Sequence, residues 1–328
     1  MAKKQAGKKM AFKDRKTGLV IFGIIHMIIG TFCVLFMFFT IIGAIAVTTL
    51  GENAFSTMNS GQLILAGLLY LLLAVWFIWM GIGSILSRKW ARVLILITSW
   101  LWFISGVLGF IFILLFMPDI FGPMATGEEI TTEIAVVGQS ILMGFMVVIL
   151  VIIPGAFVLF YSSRHVKATC EQRDPRVRWT DKAPFSVITI SSLLGVVAIS
   201  MPFLGFYQWA VPFFGFFLSG IPGAVVVLIY TLLFAYAAWG IYKLQIMAWW
   251  CGFILTIVSA VSMGITFSRV SLLEFYEQMN MPRESIEIMK ELGFFQDANL
   301  YVPLSWGLMI IGFLIFLMYT KRHFTAAP

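Results

Sequence analysis

The 328 residues are 61% apolar and 16% aromatic but only 11% charged. A soluble domain carries about a quarter of its residues charged, so a soluble enzyme and a free-standing nucleic-acid-binding domain are both excluded. The net charge of +7 gathers at the ends of apolar runs, with no basic cluster interleaved with aromatics on a polar face, and this argues against a nucleic-acid partner.

A helix needs about 20 mainly apolar residues to cross a bilayer. Eight runs qualify, at 19–48, 63–86, 92–117, 135–160, 184–206, 221–242, 248–268 and 303–320. Lipid offers no hydrogen-bond partner to open backbone groups, so each run is predicted to be helical. The fold class is then an all-α polytopic membrane bundle with eight transmembrane helices. The first apolar run is about twice the 7–15 residues of a signal-peptide core and reads as an uncleaved span.

Lysine and arginine bias sets orientation. The tail holds Lys3, Lys4, Lys8, Lys9, Lys13, Arg15 and Lys16, the 2–3 loop Arg88, Lys89 and Arg92, and the 4–5 linker Arg164, Lys167, Arg173, Arg176, Arg178 and Lys182. Lys243, Lys321 and Arg322 fall at the same end, leaving only Arg269, Arg283 and Lys290 opposite. The acids run the other way, since Asp14, Glu171, Asp174 and Asp181 alone share the basic end. Both termini are expected in the cytoplasm, with anionic headgroups as the partners of the basic residues.

An internal duplication emerges at an offset near 158. Leu159-Phe160-Tyr161-Ser162-Ser163-Arg164-His165-Val166 matches Leu317-Met318-Tyr319-Thr320-Lys321-Arg322-His323-Phe324, Gly83–Ala91 matches Gly240–Ala248, and Gly106 matches Gly264. Two four-helix units in the same orientation follow, a parallel repeat. The predicted division is a basic tail at 1–17, a first unit at 18–167, a cytoplasmic linker at 168–182, a second unit at 183–323 and a short tail at 324–328.

The stretch from Gly81 to Val93 ends one helix, turns on positive charge and starts the next with Trp90. Through Gly81, Gly83, Leu86, Trp90, Ala91 and Arg92 it resembles a hairpin of uncharacterised bacterial four-helix membrane proteins. That resemblance implies a bacterial inner-membrane protein without a defined activity.

An ionisable side chain inside a span is a functional candidate because placing it there is costly. Only His26 qualifies, and Ile29 and Gly30 stand where helical ligand partners would be. A hydrogen-bonded core histidine is the preferred reading over a proton relay or a metal or haem ligand. The aligned Tyr161/Arg164/His165 and Tyr319/Arg322/His323 are expected to anchor helix ends at the interface, with a headgroup or phosphate site as the sharper reading. In the 5–6 connection Trp209, Phe213, Phe214, Phe216 and Phe217 predict a re-entrant or interfacial segment, a potential contact for lipid, an apolar ligand or a subunit. Small residues predict close helix approach at Ser105/Gly109 and Gly220/Ala224, and Pro154, Pro202 and Pro222 predict kinks. In the 7–8 loop Pro282, an apolar set at Ile286, Met289 and Leu292, and Gly293 predict an amphipathic helix over 282–292, where a membrane-protein partner could dock.

No hydrolase, metalloprotease, dinucleotide or P-loop signature occurs. Cys33, Cys170 and Cys251 form no CxxC pair. The outer carboxylates, including Asp119, Glu128, Glu129 and Glu133, read as a solvated face. No cofactor and no metal is expected. The leading expectation is a non-catalytic scaffold, accessory subunit or lipid-interacting protein. The alternative is a transporter of an uncharged or lipophilic substrate through the interface between the two repeats, its path lined by Gln139, Tyr230 and Tyr236. A lipid- or quinone-modifying enzyme ranks third.

Overall fold

A computed structural model describes residues 12–50, 60–125, 132–279, 281, 283–291 and 294–324. Among them eight helices are long and apolar enough to cross a membrane. The first three crossings are α1 (Lys16–Leu50), α2 (Ser60–Ile85) and α3 (Lys89–Ala125). The fourth is composite: α4 (Thr132–Val147), a π-helical turn (Val148–Ile152) and α5 (Ile153–Ser162). Helix α6 (Arg164–Arg173) and a 3-10 turn (Trp179–Asp181) then lead into α7 (Phe185–Ser200). The remaining crossings are α8 (Gly220–Tyr242), α9 (Ile246–Phe267) and α12 (Phe294–Thr320), with the short α10 (Leu272–Gln278) and α11 (Arg283–Glu291) between the last two.

Neighbours in sequence are neighbours in space. Helix α1 lies along α2, α2 on α3 and α3 on α5; further on, α7 lies along α8, α8 on α9 and α9 on α12. Each half has its own core, one around Leu19, Met80, Ile95, Phe157 and Tyr161, the other around Leu194, Phe234, Ile241, Trp249 and Leu317. The halves meet where α3 touches α12 and where α2 touches the segment after α7.

The turn joining α2 to α3 has the same construction as the turn joining α8 to α9. Ser87 and Leu244 adopt left-handed φ of 54° and 60°. In the first turn the Ser87 N–H donates to Ser84 O and the Arg88 N–H to Gly83 O; in the second, Leu244 N–H donates to Ile241 O and Gln245 N–H to Gly240 O. This is the paired helix-ending bond pattern that satisfies the last free carbonyls. The chain then folds straight back, so an added Cβ on Gly83 would lie 2.6 Å from Ala91 Cβ, and one on Gly240 2.3 Å from Ala248 Cβ.

The prolines act in three ways. Pro154 lacks the N–H that a helix would direct at Leu150 O, and the preceding turn widens to π geometry, with the Ile153 N–H bonded to Val148 O. Gly106 of α3 packs onto this irregular backbone, where a Cβ would stand 2.0 Å from Leu150 O. Among the described residues close approach is made at Gly106, whereas a Cβ on the expected Gly109 would meet none of them within 4 Å. The same holds at Gly220. At Pro202 helix α7 tightens into a 3-10 segment, Met201–Tyr207. Pro222 sits in the first turn of α8, where a missing N–H is harmless, and the helix runs on.

Two connections carry secondary structure that their sequence reading did not specify. The 168–182 linker is largely ordered secondary structure, because α6 begins at Arg164 and runs into it. The aromatic 5–6 connection is an antiparallel hairpin, β1 (Val211–Phe213) with β2 (Phe216–Leu218), pairing Val211 with Leu218 and Phe213 with Phe216. Asp119 and Glu133, expected in a loop, lie in α3 and α4; Glu128 and Glu129 lie outside the described residues.

Candidate functional site

At the basic end, the segment before α1, the α2–α3 turn and α6 are locked together. Ser163 accepts the His165 N–H as the N-cap of α6, which restarts a helix where the fourth crossing stops. The Lys13 N–H donates to His165 Nδ1 (3.3 Å) and the Arg15 N–H to Thr169 Oγ1 (3.0 Å), while Arg173 pairs with Asp14 at 2.6 Å. Asp174, 1% exposed, accepts from Arg178 Nε and Nη2, lies 3.5 Å from Arg88, and takes the Lys89 backbone N–H at 3.3 Å. Asp181 accepts from Lys89 Nζ at 2.7 Å and from the Arg178 N–H at 2.9 Å. Tyr242 at the end of α8 donates to Trp179 O, so the linker touches both halves.

These contacts set the acid strengths. The Arg178 guanidinium holds the Asp174 carboxyl below its usual range, and Arg173 does the same for Asp14. Burial pushes Asp181 up, but the Arg178 N–H and Lys89 outweigh it, and its net shift is downward. The Cys170 thiol is raised to about 11 by burial, which leaves it protonated and a poor nucleophile at neutral pH.

Tyr161 and Tyr319, aligned by sequence, have opposite settings. Tyr161 is fully buried, its hydroxyl 2.6 Å from Ser84 Oγ, which also donates to Leu19 O. Tyr319 is 52% exposed, with the Arg322 guanidinium 4.0 Å over its ring and bonded to its hydroxyl. Lys321 Nζ lies 4.6 Å from the Trp250 ring centre and 5.3 Å from that of Trp249. Trp249 is buried and donates from its indole to Leu317 O. His323 Nε2 faces Ser186 Oγ at 3.4 Å. Arg164, like Arg322, lies at a helix boundary, at the start of α6.

His26 is 2% exposed, with Nδ1 3.0 Å from Phe22 O and the Phe157, Phe77 and Tyr161 rings around it. Its ring is positioned by its own helix and by aromatic edges. Tyr230 stacks on Phe234 against the second core, and Tyr236 is exposed on the same helix; the Gln139 side chain lies outside the described residues. A cavity of about 290 Å³ lies instead between α1 and α2, lined by Met37, Ile41, Thr48, Ile64 and Leu71 among others. Apart from Thr48 its described walls are apolar, and neither Tyr230 nor Tyr236 belongs to it.

At the opposite end, the hairpin is fastened to α9. The Phe214 N–H donates to Ser262 Oγ and the Gly215 N–H to Thr266 Oγ1, both at 3.0 Å, and Ser262 Oγ donates to Pro212 O. Gln208, Trp209 and Phe214 have left-handed φ of 58°, 59° and 44°, each costing about 1–2 kcal/mol. The buried hydroxyl bonds hold that strain in place. Phe217 packs on Phe267 and Phe275, while Phe213, Phe214 and Phe216 form an outer aromatic group. In α10 the Ser271 hydroxyl caps the Glu274 N–H and donates to its carboxylate. In α11 Ser285 and Ile286 face inward, and Glu287 and Glu291 are exposed.

The residues missed by motif reading are Ser84, Asp174, Trp249, Ser262 and Thr266. One signal was present, since Trp249 occupies the place of Arg92 in the matched stretch. No protein-family model, curated protein or solved structure matches the chain. Fold and surface chemistry together define an integral membrane protein of the multi-span helical class.

Proposed function

We propose that this chain is a non-catalytic, lipid-interacting protein of a bacterial inner membrane, with its basic end in the cytoplasm. The observation that carries this reading is the pairing of charge at that end. Asp14, Asp174 and Asp181 are each paired with a cation, Asp174 in a buried position. Lys182, Lys243 and Lys321 make no ion pair with a carboxylate among the described residues. Cations left beside helix ends meet anionic headgroups, each contributing about 1 kcal/mol.

Two like four-helix units in the same orientation are part of this reading. It is supported by the two identically bonded turns, by the paired Gly83/Ala91 and Gly240/Ala248 contacts, and by the same neighbour order of helices in each half. The transporter alternative gains no support from the apolar α1–α2 cavity, which contains no polar lining beyond Thr48.

The test is native mass spectrometry of the protein released from its own membrane. Retention of anionic phospholipid in excess of its share of the bulk lipid is expected. A stoichiometric protein partner and no lipid enrichment would replace the lipid reading with that of an accessory subunit.

A further inference from the structure

We infer that the two halves do not share this lipid chemistry, and that the headgroup phosphate of an anionic phospholipid is taken at the end of the second half by Lys321 and Arg322 on an aromatic platform. The inference rests on the lipid reading above and names its site.

The corresponding place in the first half is closed. Tyr161 points into the core, bonded to Ser84. Ser163 starts α6, which runs on from the helix end, and His165 Nδ1 accepts the Lys13 N–H. In the second half Lys321 stands where Ser163 does. A lysine cannot accept an N–H as a cap, and Lys321–His323 form a 3-10 turn. Arg322 is exposed there and Lys321 half-buried.

Those side chains are held in place. Lys321 lies against two indoles and Arg322 against the Tyr319 ring. Cation–π contact orients a charge without cancelling it, so the ammonium keeps its donors for an oxygen ligand. No carboxylate pairs with Lys321 among the described residues. Trp250, Tyr319 and Met318 are exposed beside the cations. A flat aromatic surface next to a polar rim suits the headgroup level of a bilayer, and Met318 continues it toward the acyl chain. A phosphodiester without a compensating ammonium, as in a glycerol headgroup, matches a lysine and an arginine side by side better than a zwitterion does.

The experiment uses the full-length protein in mixed vesicles of phosphatidylglycerol and phosphatidylcholine, with bound lipid counted by native mass spectrometry. Three forms are compared: unmodified, Lys321→Gln/Arg322→Gln, and Arg164→Gln/Lys167→Gln. Removing two interfacial cations should lower the preference for phosphatidylglycerol about tenfold or more, while the first-half pair, of which Lys167 already pairs with Glu171, lowers it no more than about fivefold. Trp250→Leu, which keeps both charges, should reduce the preference in part, and unchanged melting of each variant excludes misfolding. Preference retained in Lys321→Gln/Arg322→Gln, or lost equally in both pairs, would overturn the site while leaving the lipid reading intact. No preference in the unmodified protein would remove the lipid reading itself. Displacement of the lipid by millimolar inorganic phosphate would overturn the lipid assignment in favour of a soluble phosphate ligand.

Discussion

The ends of the fourth and eighth crossings carry nearly the same residues, Tyr161-Ser162-Ser163-Arg164-His165 and Tyr319-Thr320-Lys321-Arg322-His323, yet they are set differently. In the first, Tyr161 is inside and Leu159 is exposed; in the second, Leu317 and Thr320 are inside and Tyr319 is exposed. The reason lies in what faces each helix. Ser84 offers Tyr161 a hydroxyl, whereas Ile241 holds the matching position in α8, and the Trp249 indole fills the space and bonds Leu317 O. A second contrast concerns Gly106 and Gly264. The former packs against the π-helical turn before Pro154, and a Cβ on the latter would meet none of the described residues within 4 Å, while the outer half of α9 is bonded to the hairpin through Ser262 and Thr266. Matched residues therefore do different structural work according to their neighbours.

The largest effect should come from glycine. Gly106→Val places carbon on the Leu150 carbonyl and should cost about 3 kcal/mol or more, while Gly264→Val should be close to neutral. Thermal unfolding in detergent checks the pair, and equal losses would remove the contrast. Next, Asp174→Ala leaves Arg178 and Arg88 without their carboxylate. Because both guanidiniums are partly exposed, the cost should be about 2 kcal/mol, seen as faster tryptic cutting after Arg173, Arg176 and Arg178.

Acid should release the same clamp. The carboxyls of Asp14 and Asp174 are held below the ordinary 3.8, so their contribution is complete above that value and is lost as pH falls through the depressed range. Amide exchange of α6, corrected for intrinsic rates, should be unchanged from pH 7 to pH 5 and accelerate below about pH 3.8; acceleration already at pH 5 would show that other groups hold it. The smallest effects concern hydroxyls. Tyr161→Phe should lose about 1 kcal/mol and Tyr319→Phe almost nothing. Ser262→Ala with Thr266→Val should leave the bundle folded and hasten exchange at Phe214 and Gly215.

Much of the bundle was legible because crossing a bilayer leaves a helix few options. The expected runs agree with the observed helices to within a few residues at most ends, although α3 continues as helix to Ala125. The charged connections were legible as charge but not as structure. Nothing in Arg164–Asp181 is periodic enough to show that Asp174 would be buried, since that depends on the α2–α3 turn arriving beside it. The hairpin form of the aromatic 5–6 segment was hidden for a related reason. Phe and Trp are equally at home in an interfacial loop and in a strand, and the hairpin exists because Ser262 and Thr266, about one helical turn apart, meet its amides. For the site, Arg322 was visible by repetition, but the platform of Trp249 and Trp250 under Lys321 was not.

The sequence by itself determined that this is a helical membrane protein, how many crossings it has, and which end carries the positive charge, because hydropathy and charge act through local runs of residues. Only the tertiary structure decided which of two matched tyrosines is buried, which glycine carries a helix contact, and which carboxylate of the basic end is buried among cations. Those outcomes depend on what packs opposite each residue, and a chain read in order does not contain its own neighbours.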